Sequence, residues 1–269
     1  MKEMKNDRRY SIIVRLIFVI CVLVLWEFVS KRGLLGPRTA LIFPDLETIG
    51  AAFIRNFTTG YAGNSLWVYI FNSLRLLLAG LIIGIVLAFA CSGLAMVNRA
   101  FFHIFNLVIS VFDLLPGVAI LPVVIVIFGV NPGVIIFLVV HSVIWPMSRN
   151  ILDGFLAVPR IYIEAGLNMG LKGASLLTGV YLPASISYIV SGLKVGWARA
   201  WRGLISAEMI FGIAACPGLG LFINQMRTSL NNAEMYATLI VIILIGVIVQ
   251  YGILEPIEKH TCGKWGMKR

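Results

Sequence analysis

Charge is scarce in this chain. Of its 269 residues only 13% are Asp, Glu, Lys or Arg, while 59% are hydrophobic; a soluble domain carries about 25% charged and about 45–50% apolar residues. The apolar residues also come in long blocks, which a half-buried soluble helix does not produce. A soluble globular domain is therefore excluded. Acidic side chains are the scarcest, 12 against 22 Lys and Arg, for a net charge of +10. Nucleic-acid binding would want a basic patch interleaved with aromatics, and none is present. The basic residues sit mainly at the chain ends and in short loops, where they hold loops on the cytoplasmic side of a membrane. Cys21, Cys91, Cys216 and Cys262 show no paired or metal-like spacing, so neither a disulfide framework nor a metal site is expected. There is no G-x-x-x-x-G-K-[ST] phosphate loop: the only Gly-Lys pair is Gly263-Lys264, followed by Trp265. No HExxH, GxSxG or carboxylate cluster appears, so no catalytic residue and no directly bound cofactor is expected.

What the chain does have is hydrophobic runs of membrane-spanning length. The first, Ile12 to Val29, follows a basic head of Lys2, Lys5, Arg8 and Arg9. It exceeds the 7–15-residue core of a signal peptide and no small-x-small cleavage site follows, so it reads as an uncleaved helix. The others are Leu66–Val97, Phe101–Phe128, Val134–Met147, Val180–Phe211 and Tyr236–Leu254. An all-α integral membrane protein of about six spans follows, each crossing ~30 Å of hydrocarbon. The fourth run is short and could extend toward Leu152. Residues 1–11 and 255–269 read as tails around a membrane domain of 12–254. The distribution of Lys and Arg favours both termini in the cytoplasm, although Lys31, Arg32 and Arg38 after the first span weaken the bias. No internal repeat is evident.

The most informative segment lies between spans four and five, at about 155–183, on the cytoplasmic side in this orientation. Pro159 to Pro183 reads PRIYIEAGLNMGLKGASLLTGVYLP. Helix formers from Ile161 to Met169 are followed by Gly170 and Gly173, and a second stretch leads to Leu182-Pro183. A short helix, a sharp turn and a re-entering helix are expected. Its apolar Ile161, Leu167 and Met169 need covering, by a partner's groove or by the membrane surface or the chain's own bundle.

These residues resemble the loop motif of binding-protein-dependent ABC importer permeases: E-A-A, three residues, G, nine residues, I, one residue, L-P. Here Glu164-Ala165-Gly166 is followed at the same spacings by Gly170, Val180 and Leu182-Pro183, with Gly166 replacing the second Ala and Val180 replacing Ile. The resemblance implies the type I importer permease fold, with Glu164 through Gly170 as a coupling helix docking on a separate ATPase subunit. Gly in place of Ala loosens that helix by ~1 kcal/mol. Further segments resemble the nitrate, sulfonate and taurine branch: Ile42-Phe43-Pro44-Asp45, Asn72-Ser73-Leu74-Arg75 with Gly80 and Gly84, Asp113-Leu114-Leu115-Pro116 with Leu121-Pro122 and Phe128-Gly129, and Glu208-Met209 with Gly218-Leu219-Gly220.

The resemblance implies a non-enzymatic pathway subunit in the cytoplasmic (inner) membrane. Its partners would be an ATPase holding ATP and Mg, an extracytoplasmic solute-binding protein, a second permease copy and membrane lipid. That branch carries nitrate, sulfonates, taurine, bicarbonate and thiamine-related heterocycles, so a small anion is the expected solute. Candidate pathway residues are Pro116 and Pro122, which break the hydrogen-bond ladder of span three, Asn72 and Arg75 in span two, and Arg199, Arg202 and Glu208 in span five. Arg199 and Arg202 share a helix face and could attract an anion, pair with carboxylates of other helices, or snorkel. Gly192, Gly196 and Gly203 form a smooth stripe that could pack within or between subunits. His141, alone among apolar residues, is expected to be satisfied by a neighbouring carbonyl. A secondary transporter would want internal repeats, and a membrane-embedded enzyme would use Glu208 and Arg202; neither gives the loop motif a role.

Overall fold

The computed structural model describes residues 2–34, 36, 38–60, 63–213 and 216–264. Among these it is helical, without strands. In chain order the helices are α1 (Lys2–Arg32), α2 (Thr39–Ile42), α3 (Leu46–Thr58), α4 (Leu66–Val97), α5 (Arg99–Phe112), α6 (Gly117–Phe128) and α7 (Pro132–Leu156). Then come α8 (Arg160–Asn168), α9 (Ala174–Leu176), a π-helical turn (Leu177–Tyr181), α10 (Leu182–Ala184), α11 (Ile186–Phe211) and α12 (Leu219–Thr228). The chain ends with α13 (Asn232–Val247), a second π-helical stretch (Ile248–Leu254) and α14 (Glu255–Lys264).

Four segments are long and apolar enough to cross a membrane: Ile13–Arg32, Leu66–Val97, Pro132–Leu156 and Asn232–Thr261. Counted as one span each, two bent pairs bring the total to six. The expected third span is not one kinked helix: α5 and α6 meet at 100°. Asp113 closes α5, and Pro116, extended at φ −62° and ψ 121°, starts α6. Pro122 stays inside α6, where it deprives the Val118 carbonyl of its usual donor. The fifth span likewise joins the Ala174–Ala184 segment to α11 at 74°. The fourth runs to Leu156, beyond the polar Ser148-Arg149-Asn150: Arg149 approaches Asp113 at 3.7 Å and the Asn150 amide donates to its own helix at the Pro146 carbonyl, 2.8 Å. The sixth continues without a break into α14, so the boundary expected at 254 falls inside a helix. The basic head is likewise part of α1.

Packing divides the chain into two units, Met1–Leu66 with Ile223–Ile240, and Trp67–Phe222 with Val241–Arg269. In the first, Ile49 and Ala52 of α3 pack on Ala233 and Ala237 of α13, and Arg55 pairs with Glu234 at 2.7 Å. The Ile42-Phe43-Pro44-Asp45 segment is held by its carbonyls: Tyr236 donates to Ile42 (3.1 Å), Ser30 to Phe43 (2.7 Å) and the Trp26 indole to Pro44 (2.9 Å). Asp45 then caps α3 by accepting from the Thr48 amide at 2.9 Å. Those Thr48 hydrogen bonds favour the ionised form and lower its pKa below the ordinary Asp value.

In the second unit α7 lies between α4 and α11, and glycines make the approach possible. A Cβ at Gly80 of α4 would stand 2.5 Å from Val139 Cβ, and one at Gly84 2.9 Å from Val143 Cβ. From α11, Gly192 faces Asn150, Gly196 faces Val143 and Gly203 faces Ser142. The stripe on span five therefore packs within the chain. Without a hydrophobic drive between helices in lipid, such small-residue grooves are what lets them adhere. Gly80→Val is expected to lower the apparent melting temperature of the detergent-purified protein, by about 2 kcal/mol of stability or more through overpacking. Gly50→Ala, whose Cβ would enter open space, should leave the melting temperature unchanged or slightly higher.

Candidate functional site: the docking loop and the polar cleft

The 155–183 loop forms the expected short helix and turn. Helix α8 ends in a Schellman motif. The Leu171 amide donates to the Gly166 carbonyl (3.0 Å) and the Gly170 amide to Leu167 (2.9 Å), with Gly170 left-handed at φ +82°. Glycine at 170 is thus required by the stop. Gly166 is buried, and a Cβ there would come within 2.8 Å of Leu176 Cδ1 and Val180 Cγ2. The residue expected to loosen the helix instead lets it sit directly on the returning limb. Ala165, Gly166, Val180 and Pro183 line one groove of about 720 Å³, while Leu182 is half-buried outside that lining. Tyr162 and Met169, the latter 80% exposed, border the same groove, while Ile161, at 70%, Glu164 and Leu167 are exposed away from it.

The candidate pathway residues separate into groups. Asn72, Arg75 and Glu208 gather at the 216–220 segment. The Asn72 amide donates to the Pro217 carbonyl (3.0 Å) and Arg75 approaches Cys216 Sγ at 3.5 Å. Glu208 is only 1% exposed. Its carboxylate accepts from Ser73 Oγ at 2.8 Å and from the Gly220 amide at 3.0 Å, while Ser73 Oγ accepts from the Leu219 amide at 2.9 Å. Gly218 and Gly220 have no room for side chains, since a Cβ would overlap Glu208 at one and the Ile205 carbonyl at the other. Among the described residues no Lys or Arg pairs with Glu208. The structure places this carboxylate as an internal clasp joining α4, α11 and the start of α12.

Arg199, Arg202 and Pro116 come together elsewhere, around a cleft of about 220 Å³ at the α5–α6 break. Arg199 is ion-paired with Asp113, which Arg149 also approaches at 3.7 Å. Arg202 is exposed, and its Nε donates to its own helix at the Ala198 carbonyl, 3.0 Å. The two arginines expected to act alike therefore differ. Pro122 is exposed and not part of this lining. His141 and Trp145 also line the cleft. His141 Nε2 and Trp145 Nε1 are buried without a hydrogen-bond partner, against the expectation for His141. Buried polar groups left this way cost about 1–3 kcal/mol each. The Phe112 and Trp145 rings stack at 5.2 Å and 27°. His141 and Trp145 stand four apart in an apolar run, and that same-face spacing was the signal available in the sequence. On α11, Lys194 pairs with Glu258 of α14 at 2.7 Å.

The loop and the cleft both fall within residues 80–258, which match the family of binding-protein-dependent transport system inner membrane components. The chain belongs to this family. Its relatives agree over most of its length. A putative ABC transporter permease protein of Methanocaldococcus jannaschii is 26% identical over 245 residues, 91% of this chain and 90% of its own. The nitrate import permease protein NrtB of Synechocystis is 25% identical over 229 residues (85% and 82%), and the taurine transport system permease protein TauC of Escherichia coli 25% over 236 (86% and 82%). This family member is an inner-membrane, multi-pass permease component of an ABC importer, and the secondary-transporter reading falls away. Importers of this kind work with an ATPase and a binding protein. In this permease the Glu208 clasp is expected to be structural. Glu208→Ala should cost about 3 kcal/mol by orphaning Ser73 and Gly220, and Glu208→Gln distinctly less, read as apparent melting temperatures in detergent.

Proposed function

We propose that this permease conducts a small anion inward, as one of two identical copies, with both termini in the cytoplasm. The ATPase that drives it is a separate subunit holding ATP and Mg, and it docks on α8. The observation that carries this reading is the set of exposed apolar side chains on α8 and at its C-cap, held on a seated mount. Ile161, Leu167 and Met169 are exposed, while Gly166 and Gly170 fix the helix from behind. An apolar helix face presented on a stopped, seated helix fits a hydrophobic groove on a partner. Glu164 and Ala165 lie on that helix, and Leu182-Pro183 carries the return limb toward α11.

In this mechanism the external binding protein delivers the solute. ATP-driven closure of the paired ATPases moves the two α8 helices, and the bundle alternates between outward- and inward-facing states. Anion as the solute class is supported by the cleft's charge, since Asp113 compensates one neighbouring guanidinium while Arg202 has no acidic partner among the described residues. Relatives named for nitrate and taurine support the same class. Pro116, Arg199 and Arg202 are the residues of this chain that line the proposed route, with Pro122 opening the ladder of α6 behind it. Asn72, Arg75 and Glu208 hold the 216–220 segment in place.

Docking is tested by co-purifying the chain with the ATPase of its own operon. Wild type should retain the ATPase through size exclusion. Gly170→Pro, which cannot adopt φ +82°, and Met169→Glu, which charges the exposed apolar end of α8, should each lose most of it. Retention by both variants would move the ATPase contact off this loop.

A further inference from the structure

We propose that Gly166 and Val180 form a size-matched pair that sets how closely α8 lies on its return limb. Gly166 is thereby the positioning residue for ATPase docking. This rests on the reading above that the ATPase docks on α8, and adds what aligns that helix with the bundle.

The packing of α8 makes one contact decisive. The helix packs chiefly on α9 and the π-helical turn of the return limb, and Gly166 is its one buried residue. The limb beneath is not free to yield. At its start the Ser175 hydroxyl accepts from the Lys172 amide at 3.0 Å, and Thr178 Oγ1 donates to the Ala174 carbonyl at 3.0 Å. At its far end the Tyr181 ring meets the buried Phe155 of α7 edge-to-face, with centroids 5.8 Å apart. The limb is thus anchored to the bundle, and α8 is the part that moves when the contact changes.

Size then fixes the seat. A Cβ at 166 would stand 2.8 Å from both Leu176 Cδ1 and Val180 Cγ2. Leu176 can turn its far end aside. Val180 is β-branched and sits in a helical turn, so its χ1 is held. Carbon atoms settle at about 3.5–4.0 Å, so α8 must lift by about 1 Å. Ile161, Glu164, Leu167 and Met169 would be carried out of line with it. The sequence carries the same pairing. Positions 166 and 180 are the two at which this chain departs from the loop motif, Gly for Ala and Val for Ile. Each departure removes one carbon, and the structure brings the two together in one contact. Restoring Ala at 166 alone therefore misplaces the helix, although Ala favours helix over Gly.

The test titrates the purified ATPase of the same operon against the full-length permease in lipid nanodiscs. Each variant's dissociation constant is read beside its apparent melting temperature. Gly166→Ala should weaken binding about tenfold while the melting temperature holds, because α8 lies outside the packed bundle. Gly166→Ala combined with Val180→Ala, which clears the obstructing methyl, should return to within about threefold of wild type. Binding by Gly166→Ala equal to wild type or tighter overturns the pairing. A double variant that does not recover binding, whether or not it folds, overturns it as well, and this arm decides if the single variant fails to fold. Met169→Glu, titrated alongside, separates the two readings. If it binds as wild type does, docking on α8 falls and the pairing with it. If it loses binding while Gly166→Ala keeps it, only the pairing falls.

Discussion

The close seating of α7 is the constraint on which the second unit depends. Its Val139 and Val143 fit where α4 has Gly80 and Gly84, and its other side meets the glycines of α11. Within a bilayer, apolar contact with a neighbouring helix gains little over contact with lipid, so adhesion comes from dispersion at short range. Once the helices are this close, the polar groups they carry are fixed as well. His141, Ser142 and Trp145 on α7 meet Arg199, Arg202 and Gly203 on α11 because the stripe below them allows it.

Polar groups at membrane depth are handled in two ways. Glu208 is fully engaged by Ser73 and Gly220, with glycines at 218 and 220 admitting the backbone to its carboxylate. That arrangement closes α4, α11 and α12 together and leaves nothing for a passing solute. The cleft differs: its Arg199 is held by Asp113, while Arg202 reaches only the Ala198 carbonyl of its own helix.

Much of this was legible beforehand. The apolar run Leu66–Val97 is α4 to the residue, and Glu164-Ala165-Gly166 with Gly170 marked both the helix and its stop. The 100° turn at Asp113–Pro116 was not legible, because a proline in an apolar run is equally compatible with a kinked helix. The true end of α7 was hidden by Ser148-Arg149-Asn150, of which Arg149 is answered by Asp113 and Asn150 by its own helix. Partners such as Ser73 for Glu208 lie 135 residues away, and only the fold brings them together. The missing partner of His141 was illegible for the same reason: whether a carbonyl reaches it depends on neighbours that no local pattern encodes.

Gly166, seated against Leu176 and Val180, makes α8 and its return limb a single stiff block, and that block meets α11 at a 74° elbow. An elbow of that angle turns an axial push on one arm into a sideways swing of the other. Arg199 stands thirteen residues beyond Ile186, the first residue of α11, which is about 20 Å along the helix. Each degree of flexure at the elbow therefore sweeps the arginine by about 0.3 Å at that arm length. The limb from Ala174 to Ala184 is about 15 Å by the same rise, so a displacement of the loop reaches the level of the cleft at about its own size.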